Sequence, residues 1–475
     1  MNKSTTSLPP PSLADKPPRF GFLQNTGILP SLIAIGTLTL VVKLIAFGKD
    51  LLVAHQFGVS DELDAFLIAF LIPSLIPMVF AQSTPIALMP AYTQARAKHG
   101  TRAANELAIQ SIRVYAMGLL AVVVAAYFAR GLIIPLITSQ FSAEKRALTG
   151  QLFVALLPFG FIYGLSFGLV TWLQAQKRFV LTSLTPALMP FCSILFLYFG
   201  GVHLGVWSFV WGTTLGAALL LIILWRAASR DGLTGTGAFG KLSAETLKVN
   251  RESLSLLAGG TLLCGLPVLD QIMAGWLESG SVAVLSYSEK ICSIALSIIA
   301  GSVAQGIYPY FAEQVSRGDW AGLKSTTWRY SLIIIGSSIP LVAVFWWAAP
   351  WMVEHLFQRG AFELSDTHRV ADVLRFHALQ IPFYIAAVMA SRVILALRAG
   401  SFLFYTSLIN LAANFALNLL FMKWLGVAGL ALATAGVYLL SSLMLYAYML
   451  IVLPRRIAAH QQFDPTLPSP PEFLP

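Results

Sequence analysis

Apolar residues along this chain come in unbroken runs of about twenty, separated by short polar turns. A run of that length can cross a bilayer as an α-helix, and a soluble core has no use for so many. The pattern predicts twelve spans, at roughly 29–54, 63–91, 107–129, 149–175, 181–200, 204–225, 253–277, 280–310, 329–353, 371–396, 401–423 and 426–453. In lipid every backbone N–H and C=O must be satisfied inside its own segment, so helices are expected throughout. The ten-residue alternation of a membrane barrel is absent. The expected fold class is an all-α polytopic membrane protein.

The connections divide the spans. The longest, 226–252, leaves six spans in an N-lobe (29–225) and six in a C-lobe (253–453). Tails at 1–28 and 454–475 are rich in proline, as in Pro9-Pro10-Pro11, and are expected to be disordered. No short apolar region with a cleavage site precedes the first span, so no removable signal peptide is expected. The two lobes look like copies. Asp50-Leu-Leu-Val-Ala54 matches Asp270-Gln-Ile-Met-Ala274 at an offset of 220, Pro90-Ala-Tyr matches Pro309-Tyr-Phe at 219, and Leu204-Gly205-Val206 matches Leu425-Gly426-Val427 at 221. Six spans per copy make the repeats parallel, and transporters of that plan bind substrate between the halves near the midplane. Pro73, Pro77, Pro85 and Pro90 in the second span, Pro158 in the fourth and Pro382 in the tenth bend their helices, either for packing or as hinges.

Composition agrees, with 57% hydrophobic and 11% charged residues against about 25% charged in soluble domains. The net charge of +10 is mainly an orientation signal. An even span count puts both tails on one side, where nineteen of the 31 Lys and Arg fall, against six on the other side and six inside spans. Both tails are therefore expected to be cytoplasmic. No basic patch on a soluble face suggests a nucleic-acid partner. Cys192, Cys264 and Cys292 lie in apolar segments without metal-ligand spacing, so packed thiols are expected, with neither metal nor structural disulfide.

The charges inside the spans carry the chemistry. Each costs about 2.5–3.5 kcal/mol at a bilayer centre, so an ionisable group at that depth is functional by default. Lys43 lies roughly 21 Å along the first span. Lys49 is 240° further round the helix, and Gly48 offers a place to bend. Lys43 and Asp50 share a face but are too far apart for a direct ion pair. Lys290 is near mid-depth in the eighth span, beside Glu289; it either serves a cavity or neutralises Asp270. Arg113, Arg375 and Arg392 lie near helix ends and are expected to snorkel. Asp61, Glu62 and Asp64 crowd the first external turn, where they are expected to cap the second helix. Asn410, Asn414 and Asn418 form one stripe. It suits interhelical hydrogen bonding, or a cation site completed by Asp270 and Thr434.

The stretch KLIAFGKDLLVAHQFGVSDELDAFLIAFLIPSL with the following MPAY, GSVAVLSYSEKI around Lys290, LFQRGAF at 356–362 and INLAANFALNLL…LGVAGLALAT resemble the MurJ/MviN lipid II flippases of the multidrug/oligosaccharidyl-lipid/polysaccharide exporter superfamily. The resemblance covers about residues 30–450. It implies two six-helix lobes in a V around a cationic cavity, and export of a polyprenyl-diphosphate-linked oligosaccharide by alternating access in a bacterial inner membrane. It makes Lys43, Lys49, Asp50, Asp64 and Lys290 the substrate-binding positions, with lysine where the family usually has arginine. Pro77 and Met78 stand where the family has paired arginines, Gln82 and Ser83 where it has Glu-Gly, and two further C-terminal helices are not found. Those departures also suit a relative carrying an exopolysaccharide or O-antigen-type repeat unit. Sodium binding in some members points to Asp270, Asn414, Asn418 and Thr434, so Na⁺ or H⁺ is the candidate coupling ion. The expected partners are the anionic lipid-linked oligosaccharide and membrane lipid, with the transporter monomeric and not an enzyme. A cation-coupled multidrug exporter of the same superfamily and a polytopic polyprenyl-phosphate-sugar glycosyltransferase are the alternatives.

Overall fold

The computed structural model of the protein describes residues 28–233, 242–397 and 399–463. The tail at 1–27, the middle of the linker, Arg398 and the last twelve residues lie outside that set, as do the side chains of Gln82, Cys264 and Pro309.

Every element among the described residues is helical: α1 (Ile28–Phe57), α2 (Asp61–Ile137), α3 (Ala143–Ala175), α4 (Phe179–Leu184), α5 (Leu188–Leu204), α6 (Val206–Arg230), α7 (Ala244–Ala274), α8 (Ser281–Arg317), α9 (Trp320–Phe357), α10 (Leu364–Ala378), α11 (Gln380–Ala396), α12 (Gly400–Leu425) and α13 (Val427–Phe463). Eight helices are long and apolar enough to cross a membrane among the described residues. The fold is therefore an all-α polytopic membrane fold.

Helix ends depart from the apolar runs for local reasons. The second and third spans join in α2, whose register breaks at Gly100 (φ 82°, ψ 174°), a conformation that glycine reaches most easily. The tenth span is two helices, α10 and α11, meeting at Leu379. Pro382 brings no N–H for the Ala378 carbonyl and its ring crowds that oxygen, so the helix is interrupted one turn earlier. At the C-terminus α13 runs on to Phe463, so residues 454–463, expected to be loose, are helical. The α5–α6 and α12–α13 turns have nearly the same backbone: Gly205 at φ 52°, ψ −135° and Gly426 at φ 55°, ψ −129°.

Packing is asymmetric along the molecule. At one end a single core draws on both halves, joining Val53, Phe57 and Phe66 to Met273, Tyr287 and Phe357. Besides a small cluster of Ile76, Phe80, Tyr115 and Leu119 in the N-half, the described residues form two separate cores at the other end. One takes Tyr92, Trp172 and Leu224 with Val249 of α7; the other takes Phe311, Leu323, Met389 and Leu445. Since lipid supplies no hydrophobic drive between helices, close approach depends on small residues. A Cβ at Gly160 would stand 2.9 Å from the Pro73 carbonyl oxygen, and one at Gly216 would stand 2.6 Å from the Met189 Cα.

Candidate substrate site

Lys49 and Asp50 lie two turns from the end of α1; Lys290 lies about three turns into α8. The structure brings the three together. Lys49 Nζ and Lys290 Nζ are each 2.9 Å from the same oxygen, Asp50 Oδ1. One lysine comes from each half, so the bridge crosses the interface. Each ammonium also lies over an aromatic ring, Lys49 over Phe209 at 5.1 Å and Lys290 over Tyr287 at 5.4 Å, which helps to hold a cation away from water. Two cations on one carboxylate leave a net positive charge at the interface. Each ammonium has three donors, and one carboxylate oxygen shared by two ammoniums cannot take them all. The rest can meet an anion.

The alternative in which Lys290 neutralises Asp270 is not what the structure shows. Asp270 is held in the C-half by neutral donors: Asn414 Nδ2 at 2.9 Å, Asn418 Nδ2 at 2.7 Å and Thr434 Oγ1 at 2.8 Å. All four residues proposed for an ion thus converge, and the fully buried Asn418 Oδ1 has no partner among the described residues. Asp270, Asn414 and Thr434 line a cavity of about 270 Å³ together with Glu289, His377 and Tyr438. Glu289 therefore turns into the C-half while Lys290 turns toward α1.

Lys43 is apart. It is exposed and has no ion pair among the described residues. The helix does not break at Gly48, so the two lysines of α1 stay on different faces. At 77 and 78 there is no cation; Pro77 is buried and Met78 is half exposed. Arg375 does not simply snorkel, since it pairs with Asp372 at 2.7 Å and donates to the Trp346 carbonyl.

At the end with the shared core the halves are fastened. Ser60 caps α2, not the acids expected there. Asp64 instead takes the first amides of α8, Gly280 N–H at 2.7 Å and Ala283 N–H at 2.8 Å. Asp61 accepts from Ser279 Oγ at 2.7 Å. The Tyr287 hydroxyl donates to the Gly58 carbonyl and Ala361 N–H to the His55 carbonyl. Lys145 binds Asp64 at 2.9 Å and Asp61 at 2.5 Å. Counting Lys145 as an external orientation charge missed this buried role, and no spacing in the sequence marked it.

The family described as lipid II flippase MurJ has a model that matches residues 53–461. The chain belongs to the lipid II flippase MurJ family. It is a flippase, a transporter and not an enzyme. Among relatives, a probable lipid II flippase MurJ of Synechocystis sp. is 25% identical, covering 88% of this chain and 80% of that protein. One from Rhizobium tropici is 23% identical with the same coverage. Among solved structures, lipid II flippase MurJ in an inward closed conformation has a TM-score of 0.74 at 19% identity, covering 92% of this chain and 94% of that one. An inward-facing multidrug resistance MATE family transporter of the MOP superfamily scores 0.72 at 16% identity, over 90% and 99%. These likenesses show that the chain shares its fold with both solved proteins.

Proposed function

We propose that the protein moves a polyprenyl-diphosphate-linked oligosaccharide, of the lipid II type, from the inner to the outer leaflet of a bacterial cytoplasmic membrane. The observation that carries this reading is the bridge at the interface, where Lys49 and Lys290, from opposite halves, share one oxygen of Asp50. A diphosphate diester carries one negative charge on each phosphorus. The bridge contributes one net positive charge and Lys43 a second. That balance suits an anionic head group, in a place where water solvates it poorly.

The architecture we propose is twelve crossings in two repeated six-helix lobes, with both termini cytoplasmic. The near-identical glycine turns at Gly205 and Gly426 support the duplication, and the Lys/Arg excess supports the orientation. The fastened end then faces outward and the parted cores face the cytoplasm. The better shape match to an inward-facing MATE family transporter (TM-score 0.72) than to an outward-facing one (0.59) supports that assignment.

The head group enters from the cytoplasmic side between the parted cores and meets Lys43, then the free donors of Lys49 and Lys290. The lipid tail stays in the bilayer. Releasing the contacts around Asp64 and regrouping at the other end exposes the sugar outside. No bond is made or broken. We propose that the protein works as a monomer. The cluster at Asp270 suits a monovalent cation: the carboxylate, the Thr434 hydroxyl and the partnerless Asn418 Oδ1 offer it oxygens, while the Asn414 and Asn418 amide nitrogens now occupy the carboxylate and would turn away. Asp270, Asn414, Asn418 and Thr434 would hold Na⁺, which would supply a positive charge against the carboxylate; a proton on Asp270 would serve the same end.

Complementation tests the reading. In a cell depleted of its own lipid II flippase, this chain is expected to restore growth. No rescue there, with rescue of a polysaccharide-export defect, would assign another repeat unit as cargo. Resistance to cationic dyes without either rescue would favour the multidrug exporter.

A further inference from the structure

Asp64 and Lys145 are among the most enclosed charges of the protein, 1% and 8% exposed. Asp64 lies in the first turn of α2 and Lys145 in the first turn of α3, both in the N-half. The ammonium of Lys145 reaches Asp64 Oδ2 and Asp61 Oδ1 and lies 4.2 Å from the centroid of the Phe141 ring. Among the described residues, the other hydrogen bonds to these two carboxylates come from the opposite half: the amides of Gly280 and Ala283 and the hydroxyl of Ser279. Arg369, also of that half, donates to the Ser279 carbonyl at 3.0 Å and steadies the same turn.

When the halves part at this end, the three opposite-half donors leave together, since all belong to the turn that begins α8. Lys145 does not leave. We propose that Lys145 is a positioning residue for alternation: the same-half counter-ion that keeps Asp61 and Asp64 compensated once the start of α8 has gone. It thereby lets this end open without stranding a carboxylate in a dry site, where an unpaired charge is strongly disfavoured. This rests on the two-state reading given above.

The proposal separates two changes that a purely structural salt bridge would not. Removing Lys145 leaves Asp64 compensated only while α8 is docked, so the closed state gains. Neutralising Asp64 removes the group on which α8 docks, so the open state gains. The two members of one ion pair therefore shift the equilibrium in opposite directions.

Val53 is buried in the shared core near this end and reports its opening. The full chain is prepared with Cys192, Cys264 and Cys292 changed to Ala and Val53→Cys added, in vesicles exposing this end. Reaction with a membrane-impermeant maleimide is timed. Lys145→Met is expected to slow labelling by roughly fivefold or more, the low end of ordinary coupling between states. Lys145→Arg is expected to keep the parental rate, and Asp64→Asn to exceed it. Unchanged or faster labelling in Lys145→Met, or a shift in the same direction for both changes, overturns the proposal. If Lys145→Met does not fold, the double change Lys145→Met/Asp64→Asn, which strands no charge on Asp64, decides. Labelling at the rate of Asp64→Asn alone supports the role of Lys145, since no charge is then left on Asp64 for it to compensate; labelling slower than Asp64→Asn alone overturns it. A parent and an Asp64→Asn protein that are both never labelled would contradict alternation itself.

Discussion

Lys290 shows what a single residue contributes and how its role is found. Its depth in an apolar run marks it as costly, and that much is legible along the chain. Its partner is not legible, because Asp50 lies on a helix of the other half and only packing brings them to 2.9 Å. Asp270, the nearer acid in sequence, is taken by amides and a hydroxyl instead. Close charge pairs at an interface are coupled by about 1.5 kcal/mol or more, so Lys290→Ala or Lys49→Ala is expected to lower the translocation rate by roughly tenfold or more. Protein level in the membrane should not change. Lys290→Arg should retain activity, since a guanidinium can span a carboxylate and a phosphate. Lys43 is exposed and outside the bridge, so Lys43→Ala is expected to cost clearly less than Lys290→Ala in the same assay. Equal losses would place Lys43 in the bridge and contradict the geometry. Asp270→Asn should leave lipid binding intact but abolish any dependence of transport on Na⁺ concentration, read by varying Na⁺ at constant ionic strength.

Helices are where the hydrophobic pattern reads best, because lipid forces every backbone group to be satisfied within its segment. What that pattern leaves out is where a helix breaks without leaving the apolar phase. Gly100 interrupts α2 in a polar stretch, while Pro382 interrupts the tenth span inside an apolar one. The four prolines of α2 before Gly100 do not end it, so proline content alone is a poor guide to hinges. The turn that follows α9 has a defined fit. Gly360 has φ +63°, and a Cβ there would run into the His55 carbonyl of the N-half. Gly360→Ala is therefore expected to weaken the fastened end by about 1–3 kcal/mol, the usual cost of overpacking, and to raise labelling of a cysteine at Val53. Unaltered labelling would mean that the turn between α9 and α10 does not help to hold the halves.

At the scale of the whole molecule, the decisive feature is one core at the fastened end and two at the other. The repeat offset near 220 anticipates two similar halves, but not which end joins them, because the same apolar positions pack against a partner half or against lipid equally well. The interface bridge sits on α1 and α8, and the docked turn at Asp64 begins α8, so one helix links the proposed anion site to the fastened end. The account makes one central claim, that paired ammoniums from opposite halves carry a lipid diphosphate across. It is tested most directly by following fluorescent lipid II across proteoliposomes holding the purified protein, beside Lys49→Ala and Lys290→Ala proteins of matched amount. The account expects translocation by the parent and its near-complete loss in both variants. Translocation at the parental rate by either variant would contradict it.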